Sequence, residues 1–537
     1  MKRYRLFLLA AVLPAFSALH AQTSYEAANL LGSDLSGTAR YVGMGGAMSA
    51  LGADISTMGT NPAGIGLYRS YDLSLSMGGN WVTQRTESDI ARNRSFDSYG
   101  TFDNVGLVMA NKVSNEDVLR FVNYGFNYRN VKRFGGKMGM SASFDGLSQT
   151  GQMAWQAWDN VGYINYTHFD PSQNHNLYDI NYFGNPNYGW LTLMGAYADL
   201  MGLYACQDED GNIIRDEQGY VVEDFWYRVA DRSNYTETVT GGINAYDFNL
   251  SFNFVDAVYL GVTFTTYSVD RNIVSSYTET FMDGDYTLTN YYTTTGSGYD
   301  FKFGAILRPF AESSFRIGVS ATTPTVYTLR DYNSAIISSQ FLYENGERAE
   351  YDLDTQSKDA FGGDCYTDYT MIAPAKVNVS LGGTIGTSLA LGAEYEYSNN
   401  GAAKLYYDDG SENMLMNNHT AENFTKQHTF RLGAEKMFSG SFYTRLGYNY
   451  ITGGYKDGAW KMIPINSVQT NTAYKNIIST SNLTGGVGYR GDAFYADAAL
   501  LFSKQRADFF PFDDPGLEGI KLNRQHIKGM MTIGFRF

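Results

Sequence analysis

Apolar and polar residues alternate singly over long parts of this chain. Between Tyr246 and Phe254, five large apolar side chains (Tyr246, Phe248, Leu250, Phe252 and Phe254) interleave with Asp247, Asn249, Ser251 and Asn253. A period of two predicts a strand with an apolar and a polar face. Similar segments recur near 71–77, 101–110, 119–130, 258–268, 298–307, 315–322, 374–383, 389–398, 427–436, 442–450, 480–489, 493–503 and 526–537. With 245–254 they make fourteen, most approaching the roughly nine to eleven residues that cross a bilayer at a tilt.

The connections alternate long and short: 82–100 long, 111–118 short, 131–244 very long, 255–257 short, and so on to 504–525. Bacterial membrane barrels have even strand numbers, with long loops at one end and short turns at the other. A soluble β-sandwich has no reason to keep that parity. The pattern therefore predicts an all-β, antiparallel transmembrane barrel of about fourteen strands over 70–537, its long outer loops containing helix. The even count puts both ends of the mature chain on the short-turn, periplasmic side.

One segment has neither period. Residues 37–68 are crowded with Gly and small side chains and contain the turn Asn61, Pro62, Ala63. Glycine is entropically costly to order and brings no side chain to a core, so this segment needs something to enclose it. Gly43, Met44, Gly45 and Gly46 superficially suggest a phosphate loop. That motif requires a preceding buried strand and a third Gly, whereas Met48 stands where the third Gly belongs. A Gly-rich linker is the plainer alternative, but Met44, Met48, Leu51, Ile55 and Met58 need an apolar surface to meet. Residues 22–69 are read as a plug, or hatch, inside the barrel, with Gly43, Gly45, Gly46, Asn61, Pro62 and Ala63 as its shaping residues.

At these residues the chain resembles a known family. The run Gly43–Gly52 followed by Asn61, Pro62 and Ala63, just before the first strand, is similar to the hatch of FadL/TodX-type outer-membrane transporters, which carry long-chain fatty acids or aromatic hydrocarbons. The resemblance implies ligand capture by helical outer loops, passage through a hatch-gated lumen, and a location in the outer membrane of a diderm bacterium.

Composition narrows the reading further. Lys2, Arg3 and Arg5, an apolar stretch from Leu6 to Ala18 and small residues before Gln22 predict a signal peptide over 1–21. Its removal takes the formal charge from −15 to −18, which excludes nucleic acid as a partner because few cations face phosphate. With 43 Tyr, 33 Phe and 57 Gly, the chain suits a barrel with aromatic girdles. The terminal Phe537 resembles the signal read by barrel-assembly machinery. Outer-membrane lipid and a hydrophobic small molecule complete the expected partners of a monomer. Cys206 and Cys365 leave a disulfide and two free thiols equally open.

Within the long loop 131–244, Trp190, Leu193, Met194, Tyr197, Leu200, Met201 and Tyr204 follow helical spacing. This stripe either packs against other loops or lines a ligand groove; Met153, Trp155 and Trp158 lie upstream. Asp208, Asp210 and Asn212 hint at a calcium loop, but the Gly falls early and the twelfth-position Glu is missing, so a hairpin turn is the better reading. No zinc spacing, HExxH or visible catalytic set appears. The expectation is a non-enzyme without metal or cofactor.

The polar strand faces carry Lys302, Arg308, Arg316, Glu394, Glu396, Arg431, Glu435, Arg445 and Asp497. An Arg or Lys facing lipid at the midplane costs about 2–4 kcal/mol, so these should face the lumen. Most should pair with one another, as Glu394 or Glu396 with Arg431. One of Lys302, Arg316, Arg431 or Arg445 is left as a candidate for a ligand carboxylate. Two functions fit: passive import of hydrophobic molecules, foremost long-chain fatty acids, or a non-transporting receptor or adhesin, with haem binding through His168 and His175 as a variant.

Overall fold

The Tyr246–Phe254 alternation belongs to a strand twice as long as the repeat itself, Arg232–Phe254, in which Phe248 is 50% exposed and Asp247 fully buried. In the computed structural model, which describes residues 22–114, 118–161, 189–215, 223–356 and 365–537, thirteen further strands repeat this division. The wall strands are β1 Asp72–Glu87, β2 Arg92–Lys112, β3 Leu119–Arg133, β4 Arg232–Phe254, β5 Val258–Thr280, β6 Gly284–Leu307 and β7 Arg316–Thr322 with Thr325–Leu342. They continue as β8 Cys365–Ala373 with Lys376–Ile385, β9 Leu389–Asn399, β10 Lys426–Ser439, β11 Phe442–Thr452, β12 Tyr474–Arg490, β13 Phe494–Phe510 and β14 Ile520–Arg536. Each pairs antiparallel with its neighbours, and β14 returns to β1, from Asp72↔Arg536 to Glu87↔Lys521. The sheet thus closes into a ring, with no free strand at either end of the order.

Outward-facing Leu73, Leu75, Met77, Trp81, Phe301, Phe303, Val377, Val379 and Leu381 belong to a lipid-facing apolar belt. Closure is what makes this belt possible, since strand pairing satisfies the ladder groups without water. Above the belt the strands continue. The segment 82–100, expected as a long loop, is a tall hairpin of β1 and β2 turning at residues 88–91. β5 and β6 likewise pair from Val258↔Leu307 to Thr280↔Asp285. Where no lipid touches the wall, both strand faces are polar, as at Thr83, Gln84, Arg85 and Thr86, and the apolar period that marks a strand is lost.

The ring encloses residues 22–67. Their short helices and 3-10 turns, Ser24–Ala28, Ala39–Gly43, Ile55–Gly59 and Pro62–Leu67, touch wall strands from β2 to β14. The C-terminus lies at the short-turn end, where Tyr71 and Phe537 exchange backbone hydrogen bonds. The start of the described chain does not. Tyr25 packs with Phe424, Tyr455 and Tyr474, beside the loops at the opposite end. The expectation of both ends at one side is therefore corrected: residues 22–36 run up through the lumen because their apolar and charged side chains find partners only there. Residues 1–21 lie outside the described part.

The loop end is filled by a second core. The helix Trp190–Tyr197 packs with Met153, Tyr277, Tyr286, Phe341, Phe509 and Phe512. Cys206 and Cys365 are free thiols. No described helix is long and apolar enough to cross a membrane.

Candidate ligand path through the barrel

The enclosed segment is seated on glycines of the wall. Gly382, Gly392, Gly433 and Gly447 are cross-strand or near-register neighbours on β8, β9, β10 and β11. Side chains on Gly392, Gly433 and Gly447 would run into the plug backbone at Ala47, Met44 and Gly45, and one on Gly382 would press on Leu51. The plug answers in kind: Gly45 has φ +63°, and a Cβ there would stand 2.7 Å from the Tyr448 nitrogen. Gly46 has φ +81°, with Leu35 pressed against it. Gly43 lies against the Arg445 side chain, and its carbonyl accepts from Thr484 Oγ1.

Asn61, extended at φ −133° as a residue before Pro should be, caps the Pro62–Leu67 turn: its Oδ1 accepts from the Ala63 nitrogen. Its Nδ2 donates to the carbonyls of Ser49 and Ala305. The Pro62 carbonyl accepts from Ser251 Oγ at 2.8 Å. Wall residues Gly261 and Gly304 leave the space that Asn61 and Pro62 occupy. At about 1 kcal/mol net per hydrogen bond, this is a seat of several kcal/mol made largely of backbone contacts.

The luminal charges pair as expected. Arg431 reaches Glu394 at 2.5 Å and Glu396 at 3.1 Å. Arg445, with no exposed side-chain surface, lies 2.6 Å from both Glu435 and Asp497. Lys302 meets Asp300 at 2.5 Å, and Arg129 meets Asp247 at 2.6 Å. Arg316 has no acidic partner among the described residues and donates to the Leu51 carbonyl of the plug. So three of the four cations considered for a ligand carboxylate are already neutralised, and the fourth holds the plug. One plug cation went unnoticed in the sequence: Arg40 makes a bidentate pair with Glu435 at 2.9 and 3.0 Å.

Above the plug, residues 29–36 cross the lumen and divide it into two chambers of about 100 and 300 Å³. Ala27, Leu30 and Leu31 bury themselves against Val131, Tyr267, Tyr327, Met371 and Leu405. The larger chamber also meets Lys132, Arg524, Lys376 and Lys528. Its lining joins apolar surface at Leu31, Phe134, Val239, Ile273, Leu501 and Leu522 to these cations and to the carboxylates Glu26, Asp34, Glu237 and Glu396. Lys132 donates to the Leu31 carbonyl and Arg524 to that of Gly135. At the top of this segment, Glu26 lies between Arg271 at 2.6 Å and Lys461 at 3.1 Å. Burial pushes its carboxyl up, but the two cations outweigh that and hold it at about 2.

The wall beside the larger chamber is incomplete. β2 and β3 pair only from Lys112↔Phe121 to Asn104↔Arg129. Beyond that point β2 continues paired to β1, while β3 and its extension Gly136–Ala142 pair with β4. The Tyr99 ring covers Gly135 in the gap so formed.

The loop stripe divides. Trp190, Leu193, Met194, Leu200 and Met201 are buried in the loop-end core. Tyr197 sits at its edge, its ring 6.3 Å from that of Tyr351. The helix ends at Tyr197, and Met201–Ala205 forms a hairpin strand with Glu223–Tyr227. The side chain of Tyr204 lies outside the described part, as do that of Trp158 and residues His168 and His175. Asp208 accepts bonds from its own loop, Asp210 and Asn212, and no metal-holding cluster occurs among the described residues.

No family model and no curated protein matches the chain. Among solved structures, it is similar to a FadL homologue of Pseudomonas aeruginosa, with 11% identity, a TM-score of 0.49, and 94% of this chain and 99% of that one covered. The toluene transporter TodX of Pseudomonas putida gives 10% and 0.47, with 94% and 99% covered. The toluene transporter TbuX of Ralstonia pickettii gives 12% and 0.46 at the same coverage. At such identities and scores the likeness carries no functional weight, which leaves the barrel's own geometry to do so.

Proposed function

We propose that this chain takes up hydrophobic small molecules passively across the outer membrane, with long-chain fatty acids its foremost ligands. The observation that carries this reading is the larger chamber. It sets apolar side chains, cations and a few carboxylates around one space, beneath a packed loop end and above a seated plug. Such a lining suits a molecule with an acidic head and an apolar tail better than it suits a sugar or an ion. A ligand tail would meet Leu31 there and, beyond it, the apolar surface beside the smaller chamber that Leu30 and Leu31 now cover.

Those two residues continue directly into the plug, so displacing them loosens the segment that Gly43, Gly45, Gly46, Asn61, Pro62 and Ala63 shape. The plug is the gate in this account. The gap between β2 and β3 gives the ligand a sideways path that avoids a through-going water channel. The landing point is Tyr197, at the accessible edge of a stripe whose Trp190, Leu193, Met194, Leu200 and Met201 are buried. No energy source is visible among the described residues, and in this account the ligand's own gradient drives the flow.

Native mass spectrometry of the delipidated protein titrated with oleate tests the reading. One bound oleate, competed by other long-chain acids but not by maltose, is the expected result. Absence of any oleate adduct at concentrations well above those of other fatty-acid carriers would refute it.

A further inference from the structure

On β13, β14, β1 and β2 the outer face of the barrel changes character at one height. From Phe494 to Phe502 on β13 and from Leu73 to Trp81 on β1 the outward residues are apolar or glycine, over about the nine residues that cross a bilayer at a tilt. Just past them come Lys504, Gln525 and Thr83. The next row is cationic. The register sets Arg506 beside Asn523, Asn523 beside Arg85, and Arg85 beside Arg94. Arg85, Arg94, Lys504 and Arg506 are all exposed, and their row spans the pair β14 and β1 that closes the ring.

The row does not neutralise itself. Arg85 stands directly opposite Arg94, with Cβ atoms about 4.5–5.5 Å apart, and like charges so placed repel. Arg85, Arg94 and Lys504 make no ion pair or hydrogen bond among the described residues. Arg506 has one bond, to Ser479 Oγ at 3.3 Å. The row above is balanced: Asp508 lies opposite Lys521, and Glu87 between Lys521 and Arg92. Asp97 belongs to the other face of β2, since successive strand residues alternate. On the far side of the ring, outward Arg330 and Lys404 are paired with Asp368 and Glu412, at 2.6 and 2.8 Å. A chain of formal charge −15 thus gathers a surplus of cations at one stretch of its apolar rim.

We propose that this row binds the phosphorylated head group of an outer-leaflet glycolipid, whose acyl chains lie against Phe502, Ile527 and Trp81 beneath it. Arg85 is four residues beyond Trp81, about 13 Å along the strand at roughly 3.3 Å per residue, and less along the membrane normal because the strand tilts. That is head-group depth. A guanidinium binds phosphate through paired N–H groups. Arg85 and Arg94 are close enough to share one phosphate, and its charge relieves their repulsion. Arg506 and Lys504 meet a second acidic group of the same head, with the amides of Asn523 and Gln525 between to bond its hydroxyls. A soluble acidic protein fits less well, because the row abuts the apolar belt and its partner must bring acyl chains as well as charge.

Native mass spectrometry of the whole barrel in detergent tests this, with phosphorylated lipid A and the same lipid after phosphatase treatment as probes. A retained adduct of the phosphorylated lipid is expected, at least tenfold weaker for the dephosphorylated one, a comparison that needs no variant. The combined Arg85→Gln, Arg94→Gln, Arg506→Gln barrel, its folding checked by heat-resistant migration, should lose the adduct to the same extent. Arg330→Gln, on the far side, should keep it. Equal binding of the two lipids, or an undiminished adduct on the triple variant, would overturn the proposal. So would displacement of the lipid by millimolar inorganic phosphate, which would make the row a simple anion site. A dimer that the triple variant loses would make the row a contact between copies and overturn it likewise.

Discussion

Gly433 lies so close to the carbonyl oxygen of Met44 that any side chain at this wall position would overlap it. The wall is thus moulded to the plug backbone, residue against residue. The same fit recurs at Gly382, Gly392 and Gly447.

Gly433→Ala should therefore unseat the plug without preventing barrel assembly, at an overpacking cost of about 1–3 kcal/mol. Planar-bilayer recordings should turn from silent to conducting. Gly485→Ala, where the nearest atom to the new Cβ is 3.8 Å away, should stay silent. A silent Gly433→Ala channel would mean that the glycine row does not seat the plug.

Deletion of 37–58 should leave a heat-resistant barrel that conducts ions and admits small hydrophilic solutes. Asn61→Ala removes the Ala63 cap, a bond to Ser49 within the plug and one to Ala305 of the wall, a loss of about 1–3 kcal/mol, and should give intermittent openings. Electrical silence of the deletion would show that this segment closes nothing.

Arg445 sits between two carboxylates with no exposed surface. Replacing it by Met leaves Glu435 with Arg40 alone and the buried Asp497 without its 2.6 Å partner, a penalty of about 3 kcal/mol. The expected outcome is a lower unfolding temperature with oleate affinity unchanged in the protein that does fold. A selective loss of oleate binding at normal stability would return Arg445 to the ligand-binding set.

Acid should release the upper part of the plug segment. The Glu26 carboxyl is held at about 2 in the folded protein, below its ordinary value of 4.5. Its contribution is thus complete above pH 4.5 and lost as pH falls towards 2. Hydrogen exchange in 22–31 should rise through that window, and Glu26→Gln should flatten the response. A response centred above pH 5 would point to another group.

At the loop end, Trp190→Ala should destabilise the packed core by about 3–5 kcal/mol and expose the lumen to protease. Tyr197→Ser, at the edge, should weaken oleate capture with little change in stability. Identical effects of the two would reduce the whole stripe to packing.

Strands were legible in the sequence wherever lipid touches the wall, because lipid forces every second residue to be apolar. At Thr83 to Thr86 the same strand faces water, and its period disappears from the sequence although its hydrogen bonds continue. Arg431 with Glu394 was foreseeable from cross-strand alternation. The pairing of Arg40 with Glu435 was not, since it joins positions 395 apart across the lumen. Lys376 escaped notice for a different reason. It looks like one more luminal cation until the structure sets it beside Pro374, lining both chambers together with Glu396. The glycines of the plug suggested a close approach, but only the register of β8 to β11 reveals that the wall glycines answer them.

The central claim, passive delivery of an acidic amphiphile through a plug-closed barrel, is tested most directly by the initial rate of labelled oleate uptake into energy-depleted diderm cells that lack any other such carrier. The account predicts a saturable rate well above that of cells without the protein, at an unchanged entry of small hydrophilic solutes. A rate equal to that of the empty cells, with the barrel verifiably folded in the outer membrane, would contradict it.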